Sequence, residues 1–297
     1  MDLRLGRIKR GSGGNGANGN VEGKNRDGRQ WVMQKRNIFH QLKSRKLWKD
    51  SVTVGLAIFG GASAITGAVF GSFKDLIDNL WFAVLATIGA LILSYMIAIV
   101  WQWWRIKDSI SLKIRGIKVT VRQGDIFEEE GLKVIGVDDT FSTSEDEHVI
   151  SHSSLHGKLI RLLKDNGEVE AFQNSIATDT REVSLGSIKR YNDFLLLVMA
   201  KLNRDYEART DNQKYESTLR KMWAEIERLY SGKPIFLPLL GDGIIRFDGA
   251  SEKPSPSALL RCMLCTLKTS NVQLKAPVTI VIYDRINDIN LYDLKGV

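Results

Sequence analysis

The residues best suited to chemistry lie where an apolar run, Pro234 to Leu240, meets Gly241, Asp242, Gly243, Ile244, Ile245, Arg246 and Phe247. Glycines at 241 and 243 permit positive φ angles and close approach to the backbone, so a row of N–H donors there can cradle a phosphate. A tight strand-to-helix turn with no ligand uses the same glycines. Asp242 sets a condition on the first reading. A carboxylate in a phosphate loop repels a diphosphate unless a cation offsets it, and Arg246, Lys158 or a cation on the ligand is the expected source. In "SLHGKLIRLL", His156 is either a base or a helix-start residue. The two cysteines, Cys262 and Cys265, stand as CxxC within "ALLRCMLCTLK". With no second pair to complete a tetrahedral zinc site they read as small buried helix residues, so no metal or cofactor is expected, and the absence of a disulfide framework fits a reducing compartment.

These groups need a scaffold, and residues 105–297 read as an α/β domain. Runs such as "IKVTVRQGD", "KVIGV", "DFLLLVMAKL", "PIFLPLL" and "VTIVIYD" have strand character. They alternate with the helical stretches "SLHGKLIRLL", "QKYESTLRKMWAEIERLY" and "SPSALLRCMLCTLK", which open at Ser or Asp caps and, in the last, at Pro256. Strands apolar throughout are buried on both faces, which predicts a mixed or parallel sheet between helices. Ligands of such sheets sit beyond the carboxyl ends of the strands.

The rest of the chain differs in character. Of the formal net charge of +8, residues 1–50 carry +9, thirteen Lys and Arg against Asp2, Glu22, Asp27 and Asp50. The basic character therefore belongs to the N-terminal segment and does not describe a nucleic-acid-binding fold. Residues 1–30 include "GSGGNGANGN" and are too poor in apolar side chains to offset their ordering entropy, so a disordered arm is expected. Residues 31–50 alternate basic with apolar positions and suit an amphipathic juxtamembrane helix. The stretches 51–73 and 80–104 are uncharged over more than the roughly 20 residues that cross a bilayer, which predicts a transmembrane hairpin over 51–104. Lys and Arg flank its two outer ends, placing both termini in the cytoplasm. Gly60, Ala64, Gly67 and Gly71 share one face of the first span, and Ala86, Ala90, Ser94 and Ala98 one face of the second. Such faces pack the hairpin on itself or against other subunits.

The order of elements from residue 113 to 285, with Gly124-Asp125-Ile126 after an early strand and the glycine loop after a late one, resembles a macro domain. The resemblance implies that Asp125, beside Ile126, receives an adenine amino group, and that residues 241–247 wrap the diphosphate of ADP-ribose with Phe247 as the loop's aromatic residue. An ionised Asp is acceptor-only and suits an amino donor, although a turn or capping Asp looks the same locally. Where many macro domains place an asparagine-rich loop around the distal ribose, this chain has Asp138 and Asp139, which puts a hydrolase apparatus in doubt. The membrane hairpin followed by a divergent macro domain with "SLHGK" is similar to the membrane effectors of bacterial type II Thoeris anti-phage systems. That similarity implies a TIR-domain partner making an ADP-ribose-derived signal conjugated to histidine, with Asp138, Asp139 and Glu145 to Glu147 meeting its ammonium. It further implies a homo-oligomer in the bacterial inner membrane, disruption of the lipid bilayer and abortive infection. A membrane-tethered ADP-ribosyl hydrolase and an anchored reader of ADP-ribosylated proteins remain as alternatives. Coupling from ligand to membrane is expected through the junction from Arg105 to Ser111.

Overall fold

The computed structural model describes residues 21–24, 30–33, 38–69, 80–106, 109–143, 150–151, 154–202, 208–243, 245–249 and 253–296. Two compact units divide at residue 37. In the first, β1 (Val21–Lys24) and β2 (Gln30–Met33) pair antiparallel, with Gly23 opposite Trp31. Strands thus stand at 21–24 and 30–33, where a disordered arm through residue 30 and a helix from residue 31 are expected; the rest of the arm, residues 1–20 and 25–29, lies outside the described residues. Trp and Val, at positions 31 and 32, are residue types that favour strands.

In the second unit a 3₁₀ turn, Ile38–Lys43, precedes α1 (Arg45–Val69), so the helix begins at Arg45 and runs on into the first apolar stretch. Helix α2 (Leu80–Ile106) packs along α1. Among the described residues one helix is long and apolar enough to cross a membrane, the 22 residues Val84–Arg105. The interhelical contact uses part of the expected small-residue faces. A Cβ on Gly55 would lie 3.0 Å from the Tyr95 Cα, and Ser94 and Ala98 are buried. Gly60 meets no atom within 4 Å, and Ala64, Ala86 and Ala90 are exposed, so those positions do not pack the hairpin on itself. The structural placement of Gly71 lies outside the described residues, as do the side-chain surroundings of Gly67.

The remainder is an α/β domain around a mixed nine-stranded sheet. Strands β4 (Ile117–Gln123), β11 (Val278–Ile282), β9 (Ile235–Pro238), β5 (Leu132–Asp138) and β7 (Phe194–Leu202) run parallel side by side. Antiparallel β3 (Ser109–Ile114) closes one edge, and β6 (Ile188–Tyr191), β8 (Ala208–Thr210) and β10 (Arg246–Phe247) extend the other. Alternation explains why the strands read as continuous apolar runs. Val134, Leu195 and Leu197 enter one core with Trp223 of α5 (Asn212–Leu229) and Met263 of α6 (Pro256–Thr269). Ile135, Leu196 and Val198 enter the opposite core with Leu159 of α3 (Leu155–Asp165) and Phe172 of α4 (Val169–Thr178). The expected caps form: Ser154, Asp211 and Ser255 accept from the backbone N–H of Gly157, Lys214 and Ala258. Cys262 is half-buried and Cys265 exposed on α6, so only the first follows the expectation of an interior residue.

Candidate functional site

A cavity of about 360 Å³ opens beyond the carboxyl ends of β4, β5, β9 and β11 and is closed on one side by the first turn of α3. A parallel sheet makes this opening because strands end together while the loops diverge to opposite faces. Its size falls in the range of small-molecule sites.

The glycine loop forms one wall. Gly241 has φ +83, and a Cβ there would stand 3.0 Å from Tyr215 Cε2 and 3.3 Å from Leu259 Cδ2, so both the turn and its support demand glycine. The Tyr215 hydroxyl, buried beneath, donates to the Leu240 carbonyl at 2.8 Å. Gly243 is different: its φ is not positive and a Cβ would meet nothing within 4 Å among the described residues, so none of them demands glycine there. Lys253 Nζ donates to the carbonyls of Asp242 (2.5 Å) and Gly243 (2.6 Å) while lying outside the cavity lining. A trans peptide points its N–H opposite its C=O. With the carbonyl of Asp242 held toward Lys253, the N–H of Gly243 faces the other way.

Asp242 is held differently from expectation. Its Oδ1 lies 3.1 Å from Arg285 Nη1, and Lys253 adds a second positive charge nearby. Burial nevertheless raises the Asp242 pKa above the ordinary carboxylate value, against the pull of those two cations. Arg246 is exposed on β10 and absent from the cavity lining, so it does not supply the expected compensation. Phe247 also leaves the cavity, packing edge-on against Tyr215 at 5.5 Å. The chain turns away after Ile245, which still lines the wall, to let β10 pair with β8. Ile244 lies outside the described residues.

Opposite stand Asp125 and Ile126. Asp125 Oδ1 accepts from Phe127 N at 3.0 Å, so the carboxylate caps a 3₁₀ turn and lines the cavity as well. Ile126 is buried beside it. Lys158 Nζ sits 4.4 Å from the centre of the Tyr283 ring, and burial lowers its pKa while Asp125 and Asp284 work to raise it. Tyr283, Asp284 and Arg285 were not singled out by sequence reasoning, although the first two end the predicted strand "VTIVIYD", the third follows it, and a carboxyl-end rule points to them.

At the far end, Asp138 is 9% exposed and already engaged: Oδ1 accepts from Thr140 N at 2.8 Å and from the Thr140 hydroxyl, and Oδ2 lies 3.7 Å from His156 Nδ1. Asp138 lines the cavity as well, with its carboxylate shared among these neighbours. Asp139 does not line the cavity, and Glu145 to Glu147 lie outside the described residues. His156 is 6% exposed, and burial lowers its pKa below 6.5 despite Asp138 and a hydrogen bond to the Ser142 backbone. Its buried Nε2 has no hydrogen-bond partner among the described residues, a cost unless something in the cavity fills it. His156 takes the expected helix-start position, in the first turn of α3, and it also lines the cavity wall. No cluster of His, Cys, Asp or Glu suited to a metal occurs among the described residues.

Comparison with known proteins agrees with this geometry. Residues 119–283 match the family model described as Thoeris protein ThsA, Macro domain. The Thoeris protein ThsA of Bacillus amyloliquefaciens (strain Y2) is 30% identical over 252 residues, covering 77% of this chain and 83% of that protein. Among solved structures, the Oceanobacillus iheyensis macrodomain with ADP is 13% identical, covers 63% of this chain and 94% of that one, and has a TM-score of 0.37. The same macrodomain with MES bound gives 13%, 63%, 94% and 0.37. These structural likenesses are too distant to bear on the site. The family match and the curated relative suffice: the chain belongs to the ThsA macro-domain family of Thoeris anti-phage defence.

Proposed function

We propose that the protein is a ligand-gated membrane effector whose macro-like cleft binds an ADP-ribose derivative made by a TIR-domain partner. The observation that carries this reading is the loop Gly241-Asp242-Gly243: two of its carbonyls are gripped by Lys253, which orients the Gly243 N–H to the opposite side, and among the described residues nothing lies within 4 Å of a Cβ placed on Gly243. That is the preorganisation a phosphate needs, with Arg285 and Lys158 as cations on the same cavity. Asp125 stands across the cleft as an acceptor for an amino donor such as adenine. The unpartnered His156 Nε2, an acceptor when Nδ1 carries the proton, suits a donor on the distal part of a ligand such as a histidine conjugate.

Membrane residence rests on α2. Its candidate span of 22 residues covers about 33 Å at 1.5 Å per residue, enough for a hydrocarbon core of about 30 Å. Trp81, Leu85, Ile92, Leu93 and Trp104 along it are all more than half exposed, an apolar surface that water does not tolerate but lipid does. In this reading α1 and α2 form a hairpin in the inner membrane with both termini cytoplasmic. The exposed Gly60, Ala64, Ala86 and Ala90 are its contacts with further copies, and assembly disrupts the bilayer and aborts infection.

The test uses the full chain in dye-loaded vesicles. ADP-ribose or its histidine conjugate should release dye, and Gly243→Glu should abolish release. Dye retention with both compounds, although both bind, would leave a binding module without effector action. A second reading draws on Asp138 and His156 at 3.7 Å, an arrangement open to a general base. Liberation of free ADP-ribose from a modified protein, lost in His156→Gln, would favour that hydrolase.

A further inference from the structure

The cleft and the base of the helical hairpin are joined by the last turns of the chain. Arg285, on the cavity wall, begins a 3₁₀ turn, Arg285–Asp288, and a second 3₁₀ turn, Leu291–Leu294, follows. The first is tied by Arg285 to Asp242 at 3.1 Å and to Asp288 at 2.7 Å, and Asp288 accepts from Ser257 of α6. The second is buried against the start of α1 and the end of α2. Tyr292 N donates to the Gln41 side chain at 3.1 Å, and Ser44 donates to Asp293. The Tyr292 hydroxyl meets Asp50 Oδ2 at 2.9 Å and Gln102 Oε1, and Gln102 donates to Ser51 at 3.0 Å. Gln41, Ser44, Ser51 and Gln102 are at most 5% exposed, so these members of the cluster are buried, while Asp50 at its edge is partly exposed. One phenolic proton serves two acceptors, Asp50 on α1 and Gln102 on α2, so the hydroxyl is shared between the helices rather than committed to either. Along the two turns and the link between them, Ile286, Ile289, Leu291 and Leu294 are buried in the same core, which makes the segment a stiff connector rather than a loose tail.

We propose that residues 285–295 are the strap through which occupancy of the cleft reaches the hairpin. This rests on the anion-binding reading of the cleft. An anionic ligand competes with Asp242 for the Arg285 guanidinium, and displacement of Arg285 shifts the 3₁₀ turn it begins. That turn is continuous with Tyr292, whose hydroxyl then changes its sharing between Asp50 and Gln102. The route differs from the Arg105 to Ser111 junction expected from sequence, and it connects to both helices at once. Coupling of this kind is reciprocal: a change at either end is felt at the other.

Hydrogen exchange on the full chain in lipid nanodiscs tests the strap without any ligand. Arg285→Gln should speed amide exchange in the segments 45–51 and 98–106 by about fivefold to tenfold. Tyr292→Phe, which keeps the buried ring and removes only the hydroxyl, should speed exchange over 284–288 by a similar factor. Gln102→Met, made on the hairpin side, gives the same reading if Tyr292→Phe does not fold. Silence at the far end in both directions would overturn the strap. ADP-ribose that protects the cleft while leaving 45–51 and 98–106 unchanged would overturn it as well. Failure of ADP-ribose to bind is a failure of the cleft reading, and the ligand-free comparison of variants stands apart from it.

Discussion

Two glycines two residues apart in one loop answer to different demands, and alanine at each separates turn from ligand site. Gly241→Ala places a side chain at φ +83, where L residues pay about 1–2 kcal/mol, and drives a methyl group to 3.0 Å from Tyr215 and 3.3 Å from Leu259. Crowding of that kind in a packed core costs about 1–3 kcal/mol, while stiffening the unfolded chain returns about 0.4–1 kcal/mol. The net loss is about 1–5 kcal/mol, which lowers the melting temperature of a domain of this size by roughly 2–18 °C. Gly243→Ala meets neither penalty, since among the described residues no atom lies within 4 Å of the added Cβ and φ is not positive. Its melting temperature should equal the wild type's or exceed it slightly. The methyl group instead occupies the space in which a phosphate approaches the loop, and affinity for ADP-ribose should fall about tenfold to a hundredfold, or ~1.4–2.8 kcal/mol. Thermal unfolding followed by tryptophan fluorescence, with calorimetric titration of the same samples, measures both quantities. Gly243→Ala binding ADP-ribose like the wild type would refute the cradle and leave the glycines as turn residues alone.

Lys253→Met removes the grip on the Asp242 and Gly243 carbonyls without entering the cavity; affinity should drop about tenfold while the melting temperature moves little, and unchanged calorimetric affinity would show that the loop orients itself. Asp125→Asn keeps the bond to Phe127 N, because an amide oxygen also accepts, but loses the charge; the fold should persist and ADP-ribose affinity should fall at least about tenfold by titration. Burial holds the His156 pKa below 6.5, so as pH falls below 6.5 the unfolded chain takes up a proton that the folded chain refuses. That part of the stability is complete above pH 6.5 and declines below it, and denaturation midpoints at pH 7.5 and 5.5 should therefore differ more in the wild type than in His156→Gln.

Sequence reading succeeded where a side chain's role is set locally. Apolar runs such as "KVIGV" and "VTIVIYD" mark β5 and β11 because strands buried on both faces cannot alternate with polar residues. Ser154, Asp211 and Ser255 mark helix starts because capping is a contact across three residues. Gly241 was legible because a turn after a buried strand needs it. The site was less legible where partners come from distant segments. Arg285 and Lys253 reach the loop from 43 and 11 positions away from Asp242, and no local pattern distinguishes them from Arg246. Phe247 was assigned to the loop by its family pattern and Arg246 by its charge, yet pairing of β10 with β8 leaves both outside the cavity lining. Asp138 and Asp139 look alike in sequence, and only the strand end decides that the first faces His156. The polar cluster around Tyr292 joins residues about 250 positions apart, beyond any local signal.

The central claim is that the cleft takes an ADP-ribose derivative on the Gly241-Asp242-Gly243 loop. Calorimetric titration of the full chain in nanodiscs with ADP-ribose and with its histidine conjugate tests this most directly, with Asp125→Asn and Gly243→Glu alongside. The account predicts saturable binding of at least one compound by the wild type, weakened by the first variant and abolished by the second. Heat of dilution alone from the wild type with both compounds, or equal binding by wild type and Gly243→Glu, would contradict it.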